Sequence, residues 1–271
     1  MTISCIIITC NESKNIRRCL ESVKWADEIV VVDSNSTDDT KKIASEFTDK
    51  IFNLDWGGFG AAKEFAKNQA RGEWILSVDA DEVVKQELKE EILKVINSAD
   101  PQDGYFIPRR SNFLGRWMKH GGWYPDLVLR LFKKQKGQFT SRLVHEKVIV
   151  DGRTGNLKND LWHYTDPDLD RYLVKMNRYT SIDALQRLKE DKTSSPIDLL
   201  IRPVATFTKM YFFKMGFLDG MAGLILAVSS AFHVFVKYAK LWHLNQSSIE
   251  ENQKKILKGK KGCRSYRDDI V

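Results

Sequence analysis

The sequence has no CxxC pair and no finger-like spacing of cysteines. Its four cysteines, Cys5, Cys10, Cys19 and Cys263, are scattered. That excludes a zinc-finger framework and leaves reduced, structural thiols of a cytosolic protein as the expectation. No low-complexity tract and no internal repeat is present, so neither a repeat array nor a long disordered linker is indicated. The opening residues, "MTISCIIITC", lack the basic n-region and small-residue cleavage site of a signal peptide and read as a buried first strand. Nor does any uncharged run reach the length of a comfortable bilayer span. The longest, Gly220 to Val236, is 17 residues between Asp219 and Lys237. As a helix it covers roughly 25 Å, short of the ~30 Å hydrocarbon thickness. Ser229, Ser230 and His233 lie inside it and disfavour spanning further.

What is present fits an ordinary folded chain: 271 residues, 42% hydrophobic and 29% charged, enough for one large domain or a domain with an appendage. The net charge of +7 is unevenly placed. From Arg202 to the end there are 12 Lys/Arg against 5 Asp/Glu, the whole of the excess. This basic end also holds the most apolar stretch, which points to an anionic membrane surface and not to nucleic acid. A solvated basic tail is the alternative.

Along the chain, "SCIIIT", "EIVVVD", "KIFNL" and "EWILSVDADE" read as strands. They alternate with helices over "NESKNIRRCLESVK", "STDDTKKIASEF" and "FGAAKEFAKNQA", and "DEVVKQELKEEILKVINSA" follows as a fourth helix. This alternation predicts an α/β fold with a mainly parallel, right-handed sheet. Ligands then bind beyond the carboxyl ends of the strands, where Thr9 to Glu12, Asp33 and Asp79 fall. Residues 104–163 carry short strand-like pieces with turn signals. Helices resume from "PDLDRYLVKMNRYT", "TSSP" marks a boundary, and residues 196–245 are apolar and helical.

The most informative stretch is "ILSVDADEVV", a greasy strand running into Asp79, Asp81 and Glu82. Alternate positions point one way on an extended chain, so Asp79 and Asp81 can face one pocket. A hard divalent cation, Mg²⁺ or Mn²⁺, would offset their repulsion and bridge to a substrate phosphate.

Together "IIITCNE", "EIVVVDSNSTDDT", "KEFAKNQARGEWILSVDADE" and "RLVHEKVIVDG" resemble the family 2 glycosyltransferases of the GT-A fold. "WYPDLVLRLFKK", "HEKV" and "WHYTDPDLDRYLVKMNRYT" resemble the branch that includes the lipopolysaccharide core β-glucosyltransferases of the WaaE and LgtF type. The resemblance covers roughly residues 2–245. It implies a GT-A domain with apolar C-terminal helices, and a hexosyltransferase that passes a sugar, glucose by expectation, from a UDP-sugar to a lipid-linked saccharide or lipopolysaccharide core, with inversion and with Mg²⁺ or Mn²⁺. It implies that Thr9, Asn11 and Glu12 line the nucleotide pocket, that Asp33 accepts from the uracil ring or its ribose, and that Lys63 and Asn68 lie along the nucleotide-sugar. Asp79 would face the ribose or donor sugar, Asp81 would hold the metal, and His163 would add a metal or diphosphate contact. Glu146 of "VHE" resembles the catalytic base. Relatives carry "ED" where this chain has "HE", which leaves Asp126 of "YPD" as the alternative base.

The chemistry asks for the same parts. Transfer from a nucleotide diphosphate develops charge on the leaving phosphate, which a cation stabilises, and a separate carboxylate takes the acceptor proton. Each residue has a plainer alternative: a helix-cap acid at Asp33, a surface pair of Glu146 with Arg142 or Lys147, a packed imidazole at His163 beside Trp162 and Tyr164. Lys175 and Arg178, three apart on a helix, suit a phosphate contact or simple solvation. Two other functions compete. A nucleotidyltransferase would show a Gly-rich, Arg/Lys-bearing phosphate loop after strand one, where this chain reads "TCNESKN". A non-catalytic nucleotide-binding membrane scaffold would not need the acids at 79, 81 and 146.

The expected organisation is a catalytic domain over 1–195 (nucleotide-sugar half to about 100, acceptor half after it), an apolar helical membrane-associating segment over 196–245, and a polar basic tail over 246–271. Lys209, Lys214, Lys237 and Lys240, with Tyr211, Tyr238 and Trp242, suit an interfacial position. An in-plane contact on the cytoplasmic face of the cell membrane is therefore expected, with oligomer or core packing of these helices as the alternative. Oligomeric state is not legible.

Overall fold

A computed structural model describes residues 1–140, 147–166 and 168–262. The chain divides into two compact units, Met1–Pro167 and Asp168–Val271.

The first unit is built on β1 (Ile3–Thr9), β2 (Glu28–Asp33), β3 (Ile51–Asn53) and β4 (Trp74–Asp79), all mutually parallel in the order β3-β2-β1-β4. β1 is buried along its whole length and β2 after its first residue, as the unbroken β-branched runs require when helices cover both faces. The helices between them are α1 (Ile16–Val23), α2 (Thr40–Ala44) and α3 (Phe59–Gln69). On α1 the spaced residues Ile16, Cys19, Leu20 and Val23 are all fully buried. The α2 helix is shorter than "STDDTKKIASEF" suggests. The residues before it spend their side chains on turns, Ser36 on Asp33 and Asp38 on Thr40, and such local bonds compete with helix.

The second difference lies at the acidic stretch. Helix was expected from Asp81 onward, but β5 (Glu82–Val84) comes first and α4 (Gln86–Ile96) starts only after it. Val83 and Val84 are β-branched and buried, and β5 pairs antiparallel with β12 (Leu161–Asp166). Sheet pairing wins over the local helical pattern. The sheet continues from β4 through β8 (Asp126–Lys133), β6 (Gly104–Phe113), β12 and β5. On β6 also pair β7 (Arg116–Trp117) and β11 (Thr154–Asn156), and β9 (Gly137–Phe139) and β10 (Val148–Val150) form a separate ribbon. β8 is antiparallel to both its neighbours, and β12 is parallel to β6. This is the expected α/β class, a mainly parallel sheet of GT-A type with flanking helices.

The second unit is helical: α5 (Leu169–Lys189), α6 (Pro196–Thr208) and α7 (Gly220–Gly262), with a π turn at Lys209–Phe213 and a 3-10 turn at Gly216–Asp219. α6 opens on a capping box between Ser195 and Asp198. α7 continues to Gly262, into the stretch read from its composition as a polar basic tail.

Gly72, between α3 and β4, shows how closely the parallel core is packed. A Cβ there would lie 2.7 Å from both the backbone nitrogen and Oγ of Ser4, and Gly72 N–H donates to that Oγ at 2.8 Å. The backbone of β1 cannot yield, so Gly72→Ala should lose about 1–3 kcal/mol. The measurement is a lower urea midpoint at unchanged slope; a midpoint equal to wild type would show that the strand has room.

Candidate active site

Parallel register puts Thr9 beside Asp33, and Ile8 beside Asp79, so the carboxyl ends of β1, β2 and β4 form one edge. The two loops leaving β1 and β2 are stitched together there. Asn11 N–H donates to Ser36 Oγ at 2.8 Å, Asn11 Oδ1 accepts Thr37 N–H at 2.8 Å, and Glu12 N–H donates to Thr40 Oγ1 at 2.8 Å. Asn11 holds a positive φ of 56°, which asparagine tolerates better than most residues. Asp33 is fully buried. Its carboxylate accepts the backbone N–H of Ser36 at 2.8 Å and the Ser36 hydroxyl at 2.5 Å, with Lys41 Nζ at 3.9 Å. Thr9 is buried too, and its Oγ1 has no hydrogen-bond partner among the described residues.

The acids after β4 are held together by cations from three different elements. Asp79 is half-buried, and its carboxylate meets Lys63 of α3 at 2.8 Å and Arg130 of β8. Burial acts to raise its pKa; the charges of Arg130 and Lys63, and their hydrogen bonds, outweigh that and hold the carboxyl well below the usual range. Glu82 is fully buried. It accepts from Arg130 at 2.7 Å, from Arg109 of β6 at 3.5 Å, and from the backbone N–H of Asp79 at 2.9 Å. Arg109 goes on to Asp126, donating to its Oδ2 from Nη2 at 2.6 Å and from Nε at 3.0 Å. Burial works against the Arg109 charge, but Glu82 and Asp126 raise its pKa above the ordinary value. The result is a line of alternating charges: Lys63, Asp79, Arg130, Glu82, Arg109, Asp126.

Asp81 faces β12. Its Oδ2 lies 3.3 Å from His163 Nε2. The other ring nitrogen, Nδ1, is 3.0 Å from Ser111 Oγ on β6, and Tyr164 N–H donates to the Asp81 carbonyl at 2.9 Å. Trp162 and Tyr164 stand on the other side of the strand and pack with Trp117 at ring distances of 4.2 and 4.9 Å; His163 is not part of that cluster. One carboxylate oxygen and one oriented imidazole nitrogen are donors that could together hold a divalent cation.

A protein-family model, Glycosyl transferase family 2, matches residues 4–165, the stretch that carries all of this geometry. The chain belongs to glycosyltransferase family 2. It is 29% identical over 264 residues to the lipopolysaccharide core biosynthesis glycosyltransferase LpsC of Rhizobium meliloti (strain 1021), covering 93% of this chain and 96% of that protein. It is 31% identical over 262 residues to an uncharacterized glycosyltransferase of Rickettsia prowazekii (strain Madrid E), covering 91% and 88%. Among solved structures, S. aureus TarS 1–349 in complex with UDP-GlcNAc is similar at 17% identity over 92% of each chain, with a TM-score of 0.45.

In this glycosyltransferase the edge gathers Thr9, Asp33, Lys63, Asp79, Asp81 and His163, with the loop residues Asn11 and Glu12. Asn68 is not gathered: it is exposed on α3, about 140° round the helix from Lys63. Lys175 and Arg178 are exposed on α5 in the second unit. Glu146 lies outside the described residues. Sequence reasoning missed Arg130, Arg109, Ser111 and the bracket made by Glu82. For Arg130 a signal existed: a single arginine inside the apolar run "LVLRLF" needs a buried partner.

Breaking a buried pair from one side leaves an uncompensated charge. Arg130→Met should therefore lose about 3–5 kcal/mol in urea unfolding, and Glu82→Met/Arg130→Met should lose less than the two single changes together. Additive losses would show that the pair is not coupled. The depressed Asp79 carboxyl stabilises the fold fully above its unfolded value near pH 4 and loses that contribution as pH falls toward its folded value. Asp79→Asn should flatten the acid limb of the stability–pH curve below about pH 4; an unchanged limb would show that Asp79 does not carry it.

Proposed function

We propose that this family 2 enzyme transfers a hexose, glucose being the first choice, from a UDP-sugar to a lipid-linked saccharide or lipopolysaccharide-core acceptor, with inversion. The observation that carries the reading is the Asp81–His163 pair, set at the carboxyl edge of the sheet beside Asp79. The donor class rests on the resemblance of "EIVVVDSNSTDDT" and "ILSVDADE" to the nucleotide-sugar half of the family. The buried, unpartnered Thr9 Oγ1 supports a polar ligand at the same edge, since such atoms find a partner. The acceptor class is taken from the name of the Rhizobium relative. With the apolar, basic C-terminal helices it favours a peripheral place on the cytoplasmic face of the cell membrane.

Asp81 and His163 would hold Mg²⁺ or Mn²⁺. That ion, when bound, supplies electrostatic stabilisation of the charge growing on the leaving diphosphate. Ser111 fixes the His163 ring so that Nε2 stays on the Asp81 side. Lys63 and Arg130 keep Asp79 ionised and in place, ready to accept a hydroxyl of the donor. The acceptor oxygen forms its bond to the anomeric carbon as the bond to the phosphate oxygen breaks. The electron pair leaves with UDP and the acceptor proton passes to a carboxylate. Glu146 is the better assignment for that base, because Oδ2 of Asp126 is already committed to two donors of Arg109.

The test is UDP release from UDP-glucose, UDP-galactose and their N-acetylated forms with lipid-linked and core-saccharide acceptors. Asp81→Asn should weaken Mn²⁺-dependent UDP binding at least about tenfold with the fold intact; wild-type affinity would refute the metal assignment. Glu146→Gln should keep donor binding and lower kcat by roughly 10²–10⁴. Near-normal turnover in Glu146→Gln with Asp126→Asn inactive would move the base to Asp126.

A further inference from the structure

The helical unit carries far more exposed apolar surface than its packing explains. α6 has no buried residue at all, yet Ile197, Leu200, Ile201 and Val204 are each 59–65% exposed. Their spacing puts all four on one stripe of the helix. The opposite side carries Leu199, which packs with Ala184, Tyr238 and Leu241. The chain then turns through Phe212, Phe213, Met215, Phe217 and Leu218, all exposed, with Phe213 reaching 80%. This corner is closely packed. A Cβ on Gly223 would lie 1.9 Å from the carbonyl oxygen of Gly216, and Tyr211 packs its ring against Phe207, Phe212 and Phe217 at 5.2–6.2 Å.

Charge says what covers this surface. From Ile197 to Met221 the cations Lys209 and Lys214 are exposed, while Arg202 is turned toward Asp198 and the Tyr238 ring. Of the two acids, Asp219 is buried and Asp198 is turned onto Ser195 and Arg202. The face shown to solvent is apolar and cationic, with lysines set among rings. Lysine is depleted from the cores of protein interfaces, whereas rings interleaved with long cationic side chains suit the boundary of an anionic bilayer.

We propose that the α6 stripe and the Lys209–Asp219 corner dock this protein in the plane of an anionic lipid bilayer, and that α7 does not cross it. The proposal deepens the lipid-linked acceptor reading and rests on it. By length and composition alone, the segment Gly216–Gln246 could cross a membrane. Its packing forbids that. α5 lies against α7, tied by Lys240 Nζ, which donates to the Asn177 carbonyl, Thr180 Oγ1 and Ser181 Oγ at 2.7–2.8 Å. α5 runs antiparallel to α7, with Arg187 at Tyr238, so its exposed Lys189 lies toward the apolar run. The corner bearing Lys209 and Lys214 packs on the start of α7, and Lys189 ends α5 alongside the apolar run, so standing α7 upright in a bilayer would carry those charges into hydrocarbon. Lying flat keeps them out of it.

The experiment uses the full chain with phosphatidylglycerol and phosphatidylcholine vesicles, in flotation at low and high salt. Wild type should float with phosphatidylglycerol about tenfold more than with phosphatidylcholine, and salt should remove only part of that. Ile201→Ser/Val204→Ser and Phe212→Ser/Phe213→Ser change exposed side chains and should keep the wild-type circular dichroism while losing most flotation. Lys209→Ala/Lys214→Ala should lose the lipid preference and keep weak binding. When cell membranes are washed at alkaline pH the protein should be released. The proposal fails if wild type does not float, if the apolar variants float as wild type does, or if alkaline washing leaves the protein in the membrane. It also fails if light scattering shows a vesicle-free dimer that these variants dissociate, which would assign the surface to a second copy. UDP binding is measured on the same samples. Intact UDP binding with failed flotation removes the docking alone, and lost UDP binding with intact flotation removes the UDP-sugar donor reading alone.

Discussion

Glu82 is a carboxylate with no access to water, and the site exists because its charge is answered from two sides. Left alone, such a group would be too costly to bury. Arg130 and Arg109 reach it from adjacent strands, and the backbone N–H of Asp79 closes the third side. Each of those partners has a second task. Arg130 also restrains Asp79, and Arg109 also restrains Asp126. One internal anion thereby sets the positions of an acid at the end of β4 and an acid at the start of β8. A buried network of this kind tolerates little rearrangement, because every member left unpaired is expensive.

The parallel half of the fold was legible because its code is local. Strands such as "IIIT" and "IVVVD" have no polar face to hide, and α1 repeats its apolar residues at helical spacing. The β5 segment was read as helix because "DEVVKQELKEEI" satisfies a helical period by itself; the partner that overrides it, β12, lies far along the chain. The same reason divides the site. Residues at strand ends, Thr9, Asp33, Asp79 and Asp81, follow from topology. Arg130, Arg109 and Ser111 come from the antiparallel half, where register cannot be read from one strand. His163 was suggested by resemblance, and only its distances to Asp81 and Ser111 distinguish it from a packed imidazole.

The helical unit shows a different limit. Its apolar content was evident in the sequence, but content does not say which side faces out. Sequence reading weighted the Gly220–Val236 run. In the structure Leu226 and Ala227 of that run are buried, while α6, a less conspicuous stretch, turns its aliphatic stripe outward. Three cations, Arg187, Arg202 and Lys237, stand within 5.3 Å of the Tyr238 ring. That cage joins α5, α6 and α7 and fixes which faces remain for other uses. Burial, with the nearby Arg187 and Arg202 charges, lowers the pKa of Lys237.

The pairing of β5 with β12 joins Asp81, in the middle of the first unit, to His163, near its end. Neither residue's neighbourhood contains the other's until the last strand has docked between β6 and β5. The Asp81–His163 pair is therefore a property of the finished unit and of no fragment of it. By mass action a ligand that recognises only the completed form draws the chain toward it. The stability of the unit would then follow the supply of any ligand held by that pair, and a chain that has not closed the sheet would not hold it.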